Sequence, residues 1–514
     1  MKIADFSVKN SLLINLISFF ILIAGFYTMY IYKIRREAFP EVSFDKVIVT
    51  TAYPGSPPEE IEKLITVPLE KELKGVDGIE EMNSTSIENL SSILLEISED
   101  AKNKTKVIDE IHQAVDRVSD LPDGSDNPVV TEITSDEIPV IEIALSGGLT
   151  EEVLQGYAEK LEDILEDIDG VSSISKRGWR EKEVWVEVDP DKLSELHLSL
   201  KEIMQALKER NISIPGGKIR GEQEFSIRTS GEFYTAEDIE NVTIRANDAG
   251  NWLKIKDVAS VRFSFEEEDV INKSFGTRSV SLTVIKRASG DTIKIVDNLK
   301  ATVDKFRQSA DPELKISYVN DISYYIERRL GVLKNNGIVG FVLVFLILML
   351  FLGFKIAVLT ALGIPIAFCA TLSAMGLFGI SVNMITMFGL IIVLGMLVDD
   401  GIIVAENCSR YLESGLTPQA AAIAGTQEVV KPVTATIITT VAAFMPLMFM
   451  QGMLGKFIWG IPLVVIIALS ASLFEAIVIL PSHFVDFVRW GKKKDVRKKD
   501  LAWFNFISKG YSRL

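Results

Sequence analysis

GMLVDDGIIVAEN, residues 395–407, sets two adjacent aspartates, Asp399 and Asp400, inside an apolar run that reaches from Met384 to Ala405. Carboxylates are costly in hydrocarbon and rare in spanning segments. Successive helix residues point about 100° apart, so the two side chains cannot both face lipid. Both are expected to face the interior of a helix bundle. Burial disfavours the ionised form of a carboxyl, and a second carboxyl beside it adds to the effect. Without a cation the pair is expected to hold at least one proton near neutral pH, as a proton carrier must. Gly389 and Gly395 before the pair and Gly401 after it permit close helix approach, which reads as a packed helix. The plainer alternatives are protonated core residues, or a loop that interrupts the helix.

The rest of the chain tells what surrounds this run. It has 514 residues, is 48% hydrophobic and carries a net charge of −16. It is too apolar for disorder and too long for one ordinary domain. The acidic balance argues against nucleic acid as a partner, because phosphate neutralisation needs a basic face. Two cysteines, Cys369 and Cys408, lie in or beside apolar runs, and three histidines (His112, His197, His483) are far apart. Neither a disulfide framework nor a metal centre is expected.

Six stretches are long and apolar enough to span a bilayer: 11–31, 337–353, 356–378, 384–408, 433–451 and 457–481. The first has no small-residue cleavage site before KIRRE and reads as an uncleaved anchor. Lys355, Arg410, Lys431 and the tail WGKKKDVRKKD from Trp490 share one side, which the positive-inside rule makes cytoplasmic. Lys33, Arg35 and Arg36 oppose that orientation, but long translocated segments override such charges. The expected layout is a cytoplasmic N-terminus (1–10), a first spanning helix (11–32), a periplasmic region (33–336), helices two to six (337–485) and a basic amphipathic cytoplasmic tail (486–514). None of the six runs has a Lys or Arg near its centre; Lys334, Lys355, Lys431 and Lys456 all lie at ends. A counter-ion for the aspartate pair is expected from another polypeptide or from sequence beyond this chain. Glu475, in ALSASLFEAIVIL, is the one other central acid. It is either an accessory relay group or a protonated acid bonded to a neighbouring helix. Pro365, Pro446 and Pro462 suggest kinked, mobile helices.

The region 33–336 contains a repeat. DKVIVTTAY (45–53) alternates as a strand, a helix follows from Pro57 to about Leu73, and GVDGIEEM leads into the strand SSILLEIS and a helix near 107–118. PVIEIALSG, the helix LTEEVLQGYAEKLEDILEDI, the turn DIDGVSSI, the strand EVWVEVDP and a helix at 200–210 repeat the order. A third, weaker copy begins at SVSLTVIKRASGDT, with a helix near 293–306 and the strand LKISYV. Such units suggest ferredoxin-like split βαβ subdomains, with residues 182–268 as an insertion.

GMLVDDGIIVAENCSRYLESGLTPQAA resembles the fourth-helix signature of resistance-nodulation-division (RND) efflux transporters, in their hydrophobe/amphiphile branch. ALGIPIAFCATLSAMGLFGISVNMITMFGL, FMPLMFMQGMLGKF and GGKIRGEQEFSIRTSGEF also resemble that branch, in the same order. The resemblance implies the fold of an N-terminal transporter half: a six-helix transmembrane bundle plus an α+β extracytoplasmic domain of ferredoxin-like subdomains, with an inserted docking subdomain. It implies a proton-driven exporter in the bacterial inner membrane, with no cofactor beyond the proton-motive force and an amphiphilic small-molecule cargo. The partners it implies are a homotrimer, a periplasmic adaptor protein, an outer-membrane channel and a second transporter half carrying a membrane lysine. It assigns the proton relay to Asp399 and Asp400. Two departures stand out. The positions that line a drug pocket with phenylalanine in multidrug relatives fall near Ile138 and Arg177. Asp-Asp-Gly replaces the single acid followed by alanine of the heavy-metal branch, which disfavours metal export.

Two other functions compete. An intramembrane aspartyl protease needs two carboxylates converging on one water, normally from separate helices; here the aspartates are sequence neighbours, and Glu475 would have to complete the geometry. A non-transporting envelope or assembly protein with the same fold is the other.

Overall fold

The computed structural model describes residues 3–30, 34–122, 124–135, 138–220, 224–246, 252–268, 270–352 and 354–490. The basic tail read from 491 onward lies outside the described residues, as does Lys33.

Strand β1 (Ser43–Ala52) is followed by a helical stretch from Pro58 to Leu73, then β2 (Ile79–Ile87), β3 (Leu90–Ile97), the helix Lys104–Asp116 and β4 (Val129–Thr134). The first helix takes a wider turn at Glu62–Thr66, just before Pro68, whose missing N–H forbids the regular ladder. The strands form one antiparallel sheet in the order β2-β3-β1-β4, the split βαβ arrangement. Burial alternates along β3, where Ile93, Leu95 and Ile97 pack with Val47 and Val49 of β1 under Ile61, Ile65, Leu69 and Ile111 of the helices.

The second unit departs from the sequence reading. β5 (Pro139–Gly147), the helix Glu151–Glu166 and β6 (Val171–Arg177) start it as expected. EVWVEVDP does not continue it. That strand, β7 (Lys182–Val188), belongs to the insertion. There β8 (Ser213–Arg220) and β9 (Glu224–Ser230) form a hairpin, β10 (Thr243–Ala246) pairs with β11 (Trp252–Lys254), and β12 (Ala259–Phe265) pairs with β7. The helix Leu200–Arg210 packs in the insertion's own core with Val242, Ile255 and Val258. After the short β13 (Lys273–Ser274), the expected third copy closes the second unit: β14 (Thr277–Lys286), the helix Thr292–Ser309 and β15 (Leu314–Val319). The sheet runs β6-β14-β5-β15. Six consecutive residues of β14, Ser279–Val284, are buried, as a central strand requires. A lone βαβ copy would have left that strand at an open edge. The turns noticed as echoes are structural equivalents: Gly78 and Gly170 both sit at φ +98° immediately before the second strand of their unit, a conformation glycine adopts freely.

Among the described residues six helices are long and apolar enough to cross a membrane: Ser11–Tyr30, Ile322–Leu350, Ile356–Leu377, Met384–Glu413, Pro418–Phe449 and Gly452–Val488. Together with the sheet-containing units they make a membrane bundle plus a separate α+β domain. The second helix begins at Ile322, earlier than hydropathy suggests, because its first turns leave the second soluble unit directly.

Each soluble unit is tied to a different membrane helix. Residues 34–38 form a short ladder with 381–384 at the start of the fourth helix: Val382 N–H donates to Arg35, Glu37 N–H to Val382 and Met384 N–H to Ala38. Arg36 donates two hydrogen bonds of 2.8 Å to Asp291, which caps the helix Thr292–Ser309, while Arg35 donates at 2.8 Å to Glu41. These partners explain the two arginines that oppose the charge rule: they serve the soluble units. On the other side, Lys456 of the sixth helix donates to the Ser43 carbonyl (2.8 Å) and pairs with Asp45, which also binds Lys104 at 2.6 Å.

Burial alone would raise the Asp45 carboxyl, but the Lys104 and Lys456 ammonium groups outweigh it and hold it below the usual carboxylate range. A depressed folded-state value gives stabilisation that is complete above the unfolded value, about pH 4, and is lost as pH falls through the folded one. Asp45→Asn is therefore expected to lower the thermal midpoint at neutral pH, by an amount that shrinks as pH falls below the carboxylate range and vanishes at an acidity that protonates the native Asp45. A midpoint difference that persists at that acidity would rule out this contact as the source.

Candidate functional site

The fourth membrane helix is not continuous at the aspartate pair. A helix Met384–Met396 ends, Leu397 and Val398 form a turn, and a second helix Asp399–Glu413 begins on the pair itself. Asp399 and Asp400 thus occupy the first turn of a helix, where unpaired N–H groups and the helix dipole favour negative charge. The expectation that both aspartates face the bundle interior needs correction. Asp400 is 5% exposed, whereas Asp399 belongs to the exposed residues of this helix. The 100° step between neighbours places one inside and one outside this bundle.

Asp400 faces the sixth helix. Ser472 donates to the Leu397 carbonyl at 3.0 Å, and its Oγ lies 3.3 Å from Asp400 Oδ2. The hydroxyl thus meets both the carboxyl and a backbone acceptor next to the helix break. Glu475, one turn further along the same helix, is 5% exposed and opens a wider π turn, Glu475–Ile479. π turns inside helices recur at functional sites. Its carboxyl lies against Gly363 of the third helix, where a Cβ would come within 2.7 Å of Cδ and Oε1. On the other flank a Cβ at Gly401 would stand 3.8 Å from Glu475 Oε2 and 3.6 Å from Thr360 Cγ2. The structure therefore gathers Asp400, Glu475, Ser472 and Thr360 where the third, fourth and sixth helices meet. Ser472 and Gly363 escaped the sequence reading, although Ser472 stands three residues before Glu475, on the same helix face.

The three glycines singled out behave differently. Gly389 meets the sixth helix, with a Cβ position 3.2 Å from the Ile461 carbonyl oxygen; Gly401 is in ordinary contact; Gly395 has nothing within 4 Å. Among the described residues no Lys, Arg or His forms an ion pair with Asp399, Asp400 or Glu475, and no group of three potential metal-ligating side chains is present. Ile138 lines a cavity of about 20 Å³ with Glu37, Lys286 and Ile322, room for about one water. Arg177 is exposed at the end of β6.

Residues 3–514 match the model of the AcrB/AcrD/AcrF family. The chain is 29% identical over 487 residues to the multidrug resistance protein MdtC of Yersinia enterocolitica, covering 92% of this chain and 47% of that protein. It is 27% identical to MdtC of Pectobacterium carotovorum over 484 residues, with the same coverage, 92% and 47%. To the swarming motility protein SwrC of Bacillus subtilis it is 25% identical over 523 residues, 93% of this chain and 49% of that protein. The chain spans about half the length of these relatives. A match over the whole length, a six-helix bundle with paired split βαβ units, and an acid pair at a break in the fourth helix agree: the chain belongs to the AcrB/AcrD/AcrF family of RND transporters.

Proposed function

We propose that this chain supplies the acidic side of a proton relay in an antiporter that exports amphiphilic or hydrophobic small molecules, with Asp399 and Asp400 as the proton carrier. The observation that carries the reading is Asp400: a carboxyl 5% exposed, touched by one hydroxyl, with no cationic partner among the described residues. Such a group is held at low cost when neutral or when a counter-charge arrives, so its charge state follows access to water and the position of a cation. Asp399, exposed beside it, is where a membrane lysine from the second transporter half would approach. The relatives named as multidrug resistance proteins support a small-molecule cargo. By the same family reading the protein works as a homotrimer in the inner membrane, with its soluble units in the periplasm, a periplasmic adaptor and an outer-membrane channel as partners. The ties from the two soluble units to the fourth and sixth helices give a route from protonation to cargo movement.

Asp400→Asn in the native transporter, reconstituted with its second half in liposomes, is expected to abolish flux driven by a pH gradient while leaving cargo binding intact. Undiminished proton-coupled flux in that variant would overturn the proposal.

A further inference from the structure

We infer that Glu475 is a second proton-binding carboxyl in series with Asp400, so that the buried site carries two exchangeable protons on two helices. This rests on the proton-relay reading of Asp400 and extends it to the sixth helix.

Four observations converge on Glu475. It is 5% exposed, and no described group donates a hydrogen bond to its carboxyl. The space it fills exists only because residue 363 is glycine, since any side chain there would collide with the carboxyl. In the same turn of the third helix Pro365 cannot donate to the Ala361 carbonyl, so a backbone acceptor two residues from Gly363 lacks its usual intrahelical donor. The π turn that begins at Glu475 includes Val478, whose carbonyl accepts from the Ser7 hydroxyl of the N-terminal helix. This end of the sixth helix is built irregularly around one acid.

The surroundings define what it can exchange with. The fourth helix presents Asp400 and Gly401, the third Thr360 and Gly363, and the sixth Ser472. The first helix meets this segment with Ile14, Ile17 and Ile21. Asp399 faces away, and none of these elements presents a described Lys, Arg or His to it. The N-terminal helix Ile3–Lys9 meets this turn through Ser7, and among the described residues the titratable neighbour of Glu475 is Asp400. Ionising one carboxyl opposes ionising the other, so the pair loses its protons in two separate steps. A proton leaving Asp400 for ionised Glu475 turns one acid into carboxylate and the other into acid, and the site keeps a single negative charge. Ser472, bonded to the Leu397 carbonyl and within reach of Asp400, lies one turn from Glu475 as the hydroxyl between them.

Infrared difference spectra of the native protein in membranes, between about pH 5 and about pH 9, test this directly because buried carboxylic acids show separate C=O bands. Two titrating bands are expected. Glu475→Gln should delete one of them. It should also strengthen proton release from Asp400 by about tenfold, since the carboxylate that opposed ionisation is gone. Glu475→Asp, which keeps the acid, should shift the band and not delete it. A Glu475 band that stays constant across this range, or an Asp400 titration unmoved by Glu475→Gln, overturns the inference. If instead the Glu475 band titrates while Asp400→Asn removes none, the Asp400 reading fails and the series arrangement fails with it; pH-driven flux in Asp400→Asn tells the two failures apart.

Discussion

Replacing Lys286 by methionine is expected to destabilise the second soluble unit by roughly 3–5 kcal/mol, the scale for leaving a buried charge without its partner. Lys286 ends the central strand β14 and is 8% exposed; Glu37, its partner at 3.4 Å, is 3% exposed. The ammonium also donates to the Ala288 carbonyl at 3.1 Å. Without it Glu37 keeps a carboxylate in a cavity that holds about one water. A double change, Glu37→Leu with Lys286→Met, removes both charges and should recover most of the loss, because apolar replacements of a buried pair are often close to neutral. The Ala288 carbonyl loses one of two donors and keeps Arg35 Nη1 at 3.3 Å, so the remaining cost is expected to stay below the roughly 1 kcal/mol of an orphaned acceptor. Hydrogen exchange of the amides in β14 and β5 reads the local free energy without assuming two-state unfolding of the whole membrane protein. If the single substitution costs less than about 1 kcal/mol, the pair is solvated and its burial is misplaced.

The pair also shows why the sequence disclosed only part of this molecule. Strand alternation, helix-opening prolines and the two D-G turns before β2 and β6 are local signals, and they mark the split βαβ units correctly. The join of the second unit is not local. EVWVEVDP and SVSLTVIKR both read as strands, and which one pairs with PVIEIALSG depends on where an insertion of some ninety residues returns, roughly, which no window sees. The six spanning helices follow from length and apolarity alone. Their ends do not: the second helix extends upstream through Arg328 and Arg329, because its polar first turns still satisfy their own backbone. At the site, the acid pair was legible as an anomaly. The break at Leu397–Val398 was legible only as one alternative, since neither residue is a helix breaker, and the divergence of Asp399 from Asp400 follows from the 100° step between neighbours and from which faces have neighbours. Glu475 was visible as a central acid, but its link to Asp400 depends on Gly363 and Ser472, which look unremarkable until three helices are in place.

The two soluble units meet the membrane at separate points, and those points bear on the acids differently. The first unit holds the sixth helix through Asp45 and Lys456, upstream of Ser472 and Glu475. The second holds the start of the fourth helix through residues 34–38 and 381–384, upstream of Asp399 and Asp400. Packed helices shift as rigid rods more readily than they bend, so relative motion of the two units would slide the Asp400 helix against the Glu475 helix. Small residues are what allow such sliding without loss of contact.

Gly425→Ala is expected to be among the most damaging small changes in the bundle, at about 3 kcal/mol or more, because the clash is with backbone and cannot relax by a rotamer. A Cβ at Gly425 would lie 2.7 Å from Cys408 Cα and 2.8 Å from Cys408 N. The fourth and fifth helices touch here main chain to main chain. Asn407 donates to the Gly425 carbonyl at 2.7 Å, and Cys408 Sγ lies 3.6 Å from the Ala422 carbonyl. Separating the helices by the ångström or so a methyl needs, about that much, breaks those bonds as well as the packing. Gly25 is the same case between the first and third helices, with a Cβ position against Cys369 Cβ and 2.7 Å from its Cα. Gly395 supplies the control. It lies in the same helix run as the acid pair and has nothing within 4 Å, so Gly395→Ala should be neutral or stabilising by up to about 1 kcal/mol through helix propensity. Thermal midpoints of the three variants in one detergent compare them directly. Equal midpoints for Gly425→Ala and Gly395→Ala would mean that the contact at Cys408 is not the close approach described, and that the helix holding Asp400 is free to move without disturbing its neighbour.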